Sequence, residues 1–176
     1  GTNQPTFNIA NVVLGDAGNY YCKITDGNGR YTISSEAVLT VNPLPTITLN
    51  PVSSVCNTSN SFILSYSGTS NSPITYSISV GTPAMPGFSQ ISDAALPASP
   101  INVTIPIGVS EDAYQFIITL KNANGCVSLA KTFTITVYEN QVAGAGNDQV
   151  ICGGLSTLFD GNIASKGVGT WTYLSG

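Results

Sequence analysis

The sequence predicts an all-β protein made of small β-sandwiches in tandem, one complete and two truncated. Three observations predict it. The stretch DAYQFIITLKNANGCVSLAKTFTITV, residues 112–137, echoes DAGNYYCKITDGNGRYTISSEAVLTV, residues 16–41, without a gap at an offset of 96 positions. At that offset Asp16 and Ala17 fall on Asp112 and Ala113, Tyr20 on Phe116, Gly29 on Gly125, Leu39 on Ile135 and Val41 on Val137, while Val55-Cys56 falls on Ile151-Cys152 and Phe62 on Leu158. The period itself is the second observation. It exceeds the roughly 20–50 residues of solenoid turns and propeller blades and suits a sandwich of about 100. Third, short runs of alternating apolar and polar residues, separated by Gly, Pro and Asn, recur along the chain as half-buried strands require.

The register divides the chain into residues 1–42, the C-terminal part of one unit; 43–139, a whole unit; and 140–176, the opening of a third. The sequence is therefore expected to be a fragment of something longer. In the first part, Thr6 to Val13 alternates Phe7 and Ile9 with polar neighbours and is expected as a strand. Asp26-Gly27-Asn28-Gly29 is expected as a tight turn, since Asn and Gly tolerate positive φ. Tyr31 to Val41 returns as the closing strand. Asn42-Pro43-Leu44-Pro45 reads as a linker that two prolines stiffen.

In the complete unit Thr46 to Leu49 is the first expected strand and Ser61 to Tyr66 the second. Ile74 to Val80 is the third, with Ile74, Tyr76 and Ile78 pointing inward. Gly81 to Pro100 is a long connection with four prolines, holding either an edge strand near Phe88 to Ile91 or a helical turn near Asp93 to Leu96. Ile101 to Ile105, Tyr114 to Leu120 and Val127 to Val137 complete the set, the last two joined through Asn122-Ala123-Asn124-Gly125.

The residues around Cys22 resemble the immunoglobulin superfamily, whose DxGxYxC motif is met by Asp16, Gly18, Tyr20 and Cys22. The resemblance implies a structural corner at Asp16, Gly18 and Tyr20, closed by the Tyr20 hydroxyl, with Cys22 two residues on. Residues 50–138 also look like the PKD-like domains strung in large secreted proteins of Bacteroidota. Val55-Cys56, a Tyr-rich third strand and the AYQFIITLKNANGCVS hairpin carry that resemblance, and AGNDQVIC with GTW, residues 145–152 and 169–171, resembles the start of another such domain. With strands assigned this way, Cys56 leads into the second strand and Cys126 follows the last turn, so the two are expected at one end of the sandwich as a disulfide. That bridge would close a loop of about 70 residues, worth about 4 kcal/mol in the chain-entropy view. Cys22 and Cys152 are then expected to be unpaired by truncation. Disulfides imply an oxidising, extracytoplasmic setting; the alternative is four free thiols in a cytoplasmic protein.

Composition narrows the function. Charged residues are 8% of the chain and the net charge is −4, which offers no basic footprint for nucleic acid. No apolar run approaches the ~18–20 residues of a membrane span. The chain has no His, which removes the usual general base and most zinc arrangements. Glu111-Asp112 reads as a turn before a strand rather than a carboxylate dyad, and Asp26-Gly27-Asn28-Gly29 lacks the ligand ladder of a calcium loop. A calcium site between domains, drawing on Asp16, Asp112 or Asp148, stays open. Trp171 and Tyr173 are either core aromatics or a sugar-stacking platform, with the core the simpler account. The 81–100 connection is a surface insertion or a binding loop.

The expected role is a non-catalytic stalk or adhesin segment of a secreted or cell-surface bacterial protein. Catalytic residues, cofactors and metals are expected to be none; the partners are neighbouring repeats, with surface glycans or proteins beyond them. The alternative is a carbohydrate-binding accessory module, which requires Tyr76, Phe88 or Trp171 in an exposed row. A eukaryotic receptor ectodomain is less consistent, because the complete unit lacks Trp.

Overall fold

A computed structural model describes residue 4 and residues 6–164 and 168–174. The chain is all-β apart from a 3-10 turn at Leu14–Asp16. Residues 6–42 carry four three-residue strands, β1 (Gly18–Tyr20), β2 (Lys23–Thr25), β3 (Tyr31–Ile33) and β4 (Ala37–Leu39). β1 pairs antiparallel with β4, and β2 with β3. Thr6 to Val13, expected as a strand, makes no ladder: it bends at Ala10 and Asn11, with Asn11 at φ +54°, and Phe7 meets the Tyr20 ring of β1 at 6.2 Å.

The central strands are β5 (Thr46–Leu49), β6 (Val55–Cys56), β7 (Ser61–Leu64), β8 (Tyr66–Ser70), β9 (Pro73–Val80), β10 (Ile91–Ala95), β11 (Ile101–Thr104), β12 (Asp112–Asn122) and β13 (Lys131–Tyr138). One layer is a five-stranded sheet in the order β10-β9-β12-β13-β6. β7 and β8, which run on from each other around Ser65, pair with β11 and β5 to form the other. All pairings are antiparallel except β13 with β6. The buried core lies wholly between Ile47 and Val137. Phe62 of β7 packs across the layers on Phe116 and Phe133, with ring centroids 5.8 and 6.0 Å away.

Several expectations are adjusted: Tyr31 to Val41 is split into β3 and β4, which pair with different strands, and the last strand starts at Lys131, Val127 making only an isolated bridge to Lys121. The second strand continues past Tyr66 to Ser70. Ile74 is 53% exposed although Tyr76 and Ile78 are buried; the register shifts between the Thr75 and Pro73 pairings and leaves Ile74 unpaired with β12. In the 81–100 connection an edge strand does form, but as β10 at Ile91–Ala95, largely over the span offered as a helical turn and after the Phe88 to Ile91 span where the strand was expected. The connection is no loose insertion either: Met85 is buried and the Phe88 ring meets Phe116 edge-on at 4.9 Å.

The tyrosine corner forms as the DxGxYxC resemblance implies, with the Tyr20 hydroxyl donating to the Asp16 carbonyl at 2.6 Å. Gly18 is not sterically required there, since a Cβ would meet nothing within 4 Å. The central unit repeats the device with Tyr114, whose hydroxyl donates to the Ser110 carbonyl at 2.9 Å. Its phenol is held above the ordinary tyrosine range by burial and by the Asp112 carboxylate. Tyr114→Phe removes one buried hydrogen bond and is expected to cost about 1 kcal/mol, read as a shifted urea midpoint. The folded state keeps a proton that the unfolded chain releases above about pH 10. The contribution of Tyr114 to stability is thus expected to be level below that pH and to fall above it, and the alkaline fall is expected to be shallower in Tyr114→Phe.

Candidate functional site: an asparagine clamp on the 42–45 linker

Asn122 ends β12 and opens the tight turn that closes at Cys126. Its Oδ1 accepts the backbone N–H groups of Asn124 and Cys126 at 3.1 and 3.0 Å, and the Cys126 carbonyl accepts its N–H. Gly125 completes the turn at φ +79°, a conformation that glycine adopts without penalty. Residues 26–30 build the same turn, with Asp26 Oδ1 accepting from the N–H groups of Asn28 and Arg30 at 2.9 Å each. The two copies differ in one group. Where Asp26 turns its second oxygen to the Arg30 guanidinium at 2.9 Å, Asn122 has an amide nitrogen, and that nitrogen reaches the linker.

Three consecutive linker carbonyls each take a donor from the central sandwich. Cys126 Sγ lies 3.9 Å from the Asn42 carbonyl, Asn122 Nδ2 donates to Pro43 at 3.3 Å, and Asn71 Nδ2 donates to Leu44 at 2.7 Å. Asn122 Nδ2 also reaches the Asn71 carbonyl at 3.4 Å, and Asn124 Nδ2 donates to Asn42 Oδ1 at 3.3 Å. Asn71 can serve because it sits at φ +57° in the turn before β9, a region Asn tolerates better than most residues. Asn122 is 5% exposed, and Pro45 is among the most buried residues of the chain. The linker is therefore seated on the sandwich, not merely stiffened by proline.

The chain leaves from the opposite pole. Asp112 pairs with Val137 at the other end of β12, and at about 3.4 Å per residue the 11-residue strand separates the two poles by about 34 Å. There the Asn140 N–H donates to Asn57 Oδ1 and the Glu139 N–H to Glu111 Oε2, both at 3.2 Å. Glu111 thus holds the departing chain, and Asp112 Oδ1 accepts the Ala113 N–H at 2.7 Å.

This geometry corrects the expected Cys56–Cys126 disulfide. Cys56 pairs with Tyr138 at the downstream pole, whereas Cys126 sits in the upstream turn. A disulfide needs Cα atoms within about 7 Å, so the two cannot meet. Cys22, Cys56, Cys126 and Cys152 are all free, and Cys126 is the most shielded. Intact-mass alkylation without reductant is expected to add four labels per chain, the Cys126 label last; two or fewer would mean that a disulfide forms.

Among the described residues no group of three or more His, Cys, Asp or Glu is placed to hold a metal, and no helix is long and apolar enough to cross a membrane. The Asp26 carboxyl is held below its usual range, first by the Arg30 backbone N–H, so its role is to build the turn. The aromatic row does not form in the central unit, where Tyr76 is buried and Phe88 is packed on the core. Trp171 and Tyr173 are not on a strand and are exposed, Trp171 by 61%, which corrects their reading as core aromatics. Trp171 tilts over Phe159 at 5.5 Å and closes down on Gly161, whose Cβ would come within 2.8 Å of it. Beside it lies an open cleft of about 850 Å³ lined in part by Val142, Gly144, Asn162 and Ile163.

No protein-family model matches this chain, and no curated protein does. Among solved structures it is similar to the SGBP-B protein of the Bacteroides ovatus mixed-linkage glucan utilization locus, in complex with a mixed-linkage heptasaccharide. The identity is 18%, the match covers 73% of this chain and 32% of that one, and the TM-score is 0.27. The chain therefore spans about a third of that protein's length.

Proposed function

We propose that the chain is a non-catalytic structural segment, a length of stalk or adhesive array in a secreted or surface-anchored bacterial protein, with 43–139 as its complete module. The observation that carries this reading is the pair of tied poles. The chain enters the central sandwich at one end and leaves at the other, about 34 Å away, and side chains hold it at both. A module joined in this way transmits direction from one neighbour to the next. The bacterial and surface setting rests on the PKD-like resemblance alone, because the four free thiols withdraw the disulfide argument for an oxidising compartment. Backbone NMR relaxation tests the proposal. Residues 42–45 are expected to share the order parameters of β12, about 0.85; values below about 0.6 would mark a flexible tether and remove the reading.

A second reading, a carbohydrate-binding accessory module, is favoured by the exposure of Trp171 beside the Asn162 cleft. Trp171 is the single tryptophan, so its fluorescence reports that site alone. Titration with a panel of soluble polysaccharides would shift the emission if the reading holds, and a flat response across the panel removes it.

A further inference from the structure

Four asparagines meet at the seated linker: Asn42 within it, and Asn71, Asn122 and Asn124 on the sandwich. They differ in the residue that follows. Asn42 precedes Pro43, which has no N–H, and Asn71 and Asn122 precede Ser72 and Ala123, whose side chains crowd the backbone nitrogen. Asn124 precedes Gly125, which has no side chain, and a Cβ placed there would meet nothing within 4 Å. Asn124 itself is exposed. The Gly125 nitrogen is thus open to the chemistry that an asparagine amide undergoes with the peptide bond after it. Two bonds hold that chemistry back. The Gly125 N–H donates to the Asn122 carbonyl at 3.0 Å, and Asn124 Nδ2 donates to Asn42 Oδ1 at 3.3 Å. The first belongs to the turn, the second to the linker.

We propose that Asn124 is a deamidation site governed by the linker, and that its conversion makes release of the linker permanent. While residues 42–45 are seated, the Asn124 amide is fixed on Asn42 and the turn stays closed. When they lift, Asn124 loses that partner and Asn122 loses the Pro43 carbonyl, so the turn opens more often. The Gly125 nitrogen then gives up its proton and attacks Asn124 Cγ. The N–Cγ bond forms, the Cγ–Nδ2 bond breaks, and Nδ2 takes up a proton and leaves as ammonia. Water opens the cyclic imide at one carbonyl or the other, leaving aspartate or isoaspartate at position 124. Aspartate puts an oxygen where Nδ2 faced Asn42 Oδ1. Isoaspartate carries the main chain through Cβ, which adds one backbone atom between the two N–H groups, of residues 124 and 126, that Asn122 Oδ1 binds. Neither product restores the seat, so a linker freed long enough to react stays loose. The inference rests on the clamp geometry and does not require the stalk role.

Peptide mapping that resolves asparagine, aspartate and isoaspartate tests it on the full chain, held in mildly alkaline buffer. Asn28-Gly29 lies in the matching turn, which Arg30 rather than the linker closes, and serves as the internal reference. Asn124 is expected to convert in the folded chain, and more slowly than in the same chain in urea. Two variants free the linker. Asn42→Ala removes the partner of the Asn124 amide, and Asn71→Asp removes the donor to Leu44 while keeping a residue that tolerates the left-handed turn. Each is expected to speed Asn124 about fivefold, the population change that matches about 1 kcal/mol of lost hydrogen bond, and to leave Asn28 unchanged. NMR relaxation of the aged chain is expected to show residues 42–45 more mobile, whereas Asn124→Gln, whose longer side chain closes the ring poorly, is expected to keep its linker order through the same incubation. A thermal transition of the central core that matches wild type shows that each variant is folded. No conversion at Asn124 overturns the proposal. So do equal rates in wild type and both linker variants, or a converted chain whose linker is as ordered as before.

Discussion

Phe116→Ala is expected to destabilise the central sandwich by about 3–5 kcal/mol, a large share of the 5–15 kcal/mol that holds a domain folded. Phe116 is fully buried on β12, stacked on Phe133 at 5.5 Å, with Phe62 at 5.8 Å and Phe88 at 4.9 Å. Its ring touches both layers and the 81–100 connection. Truncation to Ala removes the shared partner of three other rings, each pair worth about 0.5–1.5 kcal/mol beyond area burial. Urea unfolding followed by circular dichroism reads the effect. A loss under 1 kcal/mol would mean that the cavity refills by collapse of Phe88 and Met85, and that the long connection is a softer part of the core than its burial indicates.

Asn122→Asp is expected to separate the turn from the clamp. The substitution keeps Oδ1, so the N–H groups of Asn124 and Cys126 keep their acceptor, as Asp26 keeps Asn28 and Arg30. It replaces the amide donor with an oxygen that faces the carbonyls of Pro43 and Asn71. Leaving those carbonyls without their donor costs about 1–3 kcal/mol, more where the carboxylate stays ionised at a buried position. Two readouts are expected to move together: a lower urea midpoint, and increased mobility of residues 42–45 in NMR relaxation. Asn122→Ala loses the turn acceptors as well and is expected to be the more damaging of the two. If Asn122→Asp leaves the linker as rigid as before, Asn71 and Pro45 hold it without Asn122.

How far this could be read from sequence depended on what alternation can register. Strands around Ile47, Phe62, Ile78, Val103 and Phe116 were legible because apolar residues recur every second position. The same periodicity is silent about a slip of two. The gapless echo sets Tyr20 on Phe116, but the hydroxyl bonds to Asp16 and Ser110 make Tyr114 the partner of Tyr20 in the fold. At the turn, Asp26 and Asn122 agree with the offset of 96 again. The difference is absorbed between the corner and the turn, where Tyr20 stands six residues before Asp26 and Tyr114 eight before Asn122, and a serine beyond each turn bonds back across it. Ser128 Oγ accepts the Leu120 N–H at 2.9 Å and donates to the Leu129 carbonyl, and Ser34 does the same between Cys22 and Ser35. A slip of two keeps every side chain on its face, so hydropathy had no means of reporting it.

The candidate site was less legible for a related reason. Asn122 opens NANG, where an asparagine is sufficiently explained by turn formation; its second task exists only once Pro43 and Leu44 fold over it. The cysteine pairing failed on topology. Cys56 could have met Cys126 had β6 run beside the last turn, but its parallel pairing with the end of β13 carries it to the far pole.

That parallel pairing also decides how the central module meets tension. Pull on the chain through residue 42 and residue 140 and the load runs along the strands, from the seated linker to the end of β13. Val55 and Cys56 lie parallel to Val137 and Tyr138, so extension slides the two strands past each other. Their hydrogen bonds are then strained together, as in a lap joint, and do not peel open one at a time. The module is braced at the place where a pulled chain would otherwise begin to unravel.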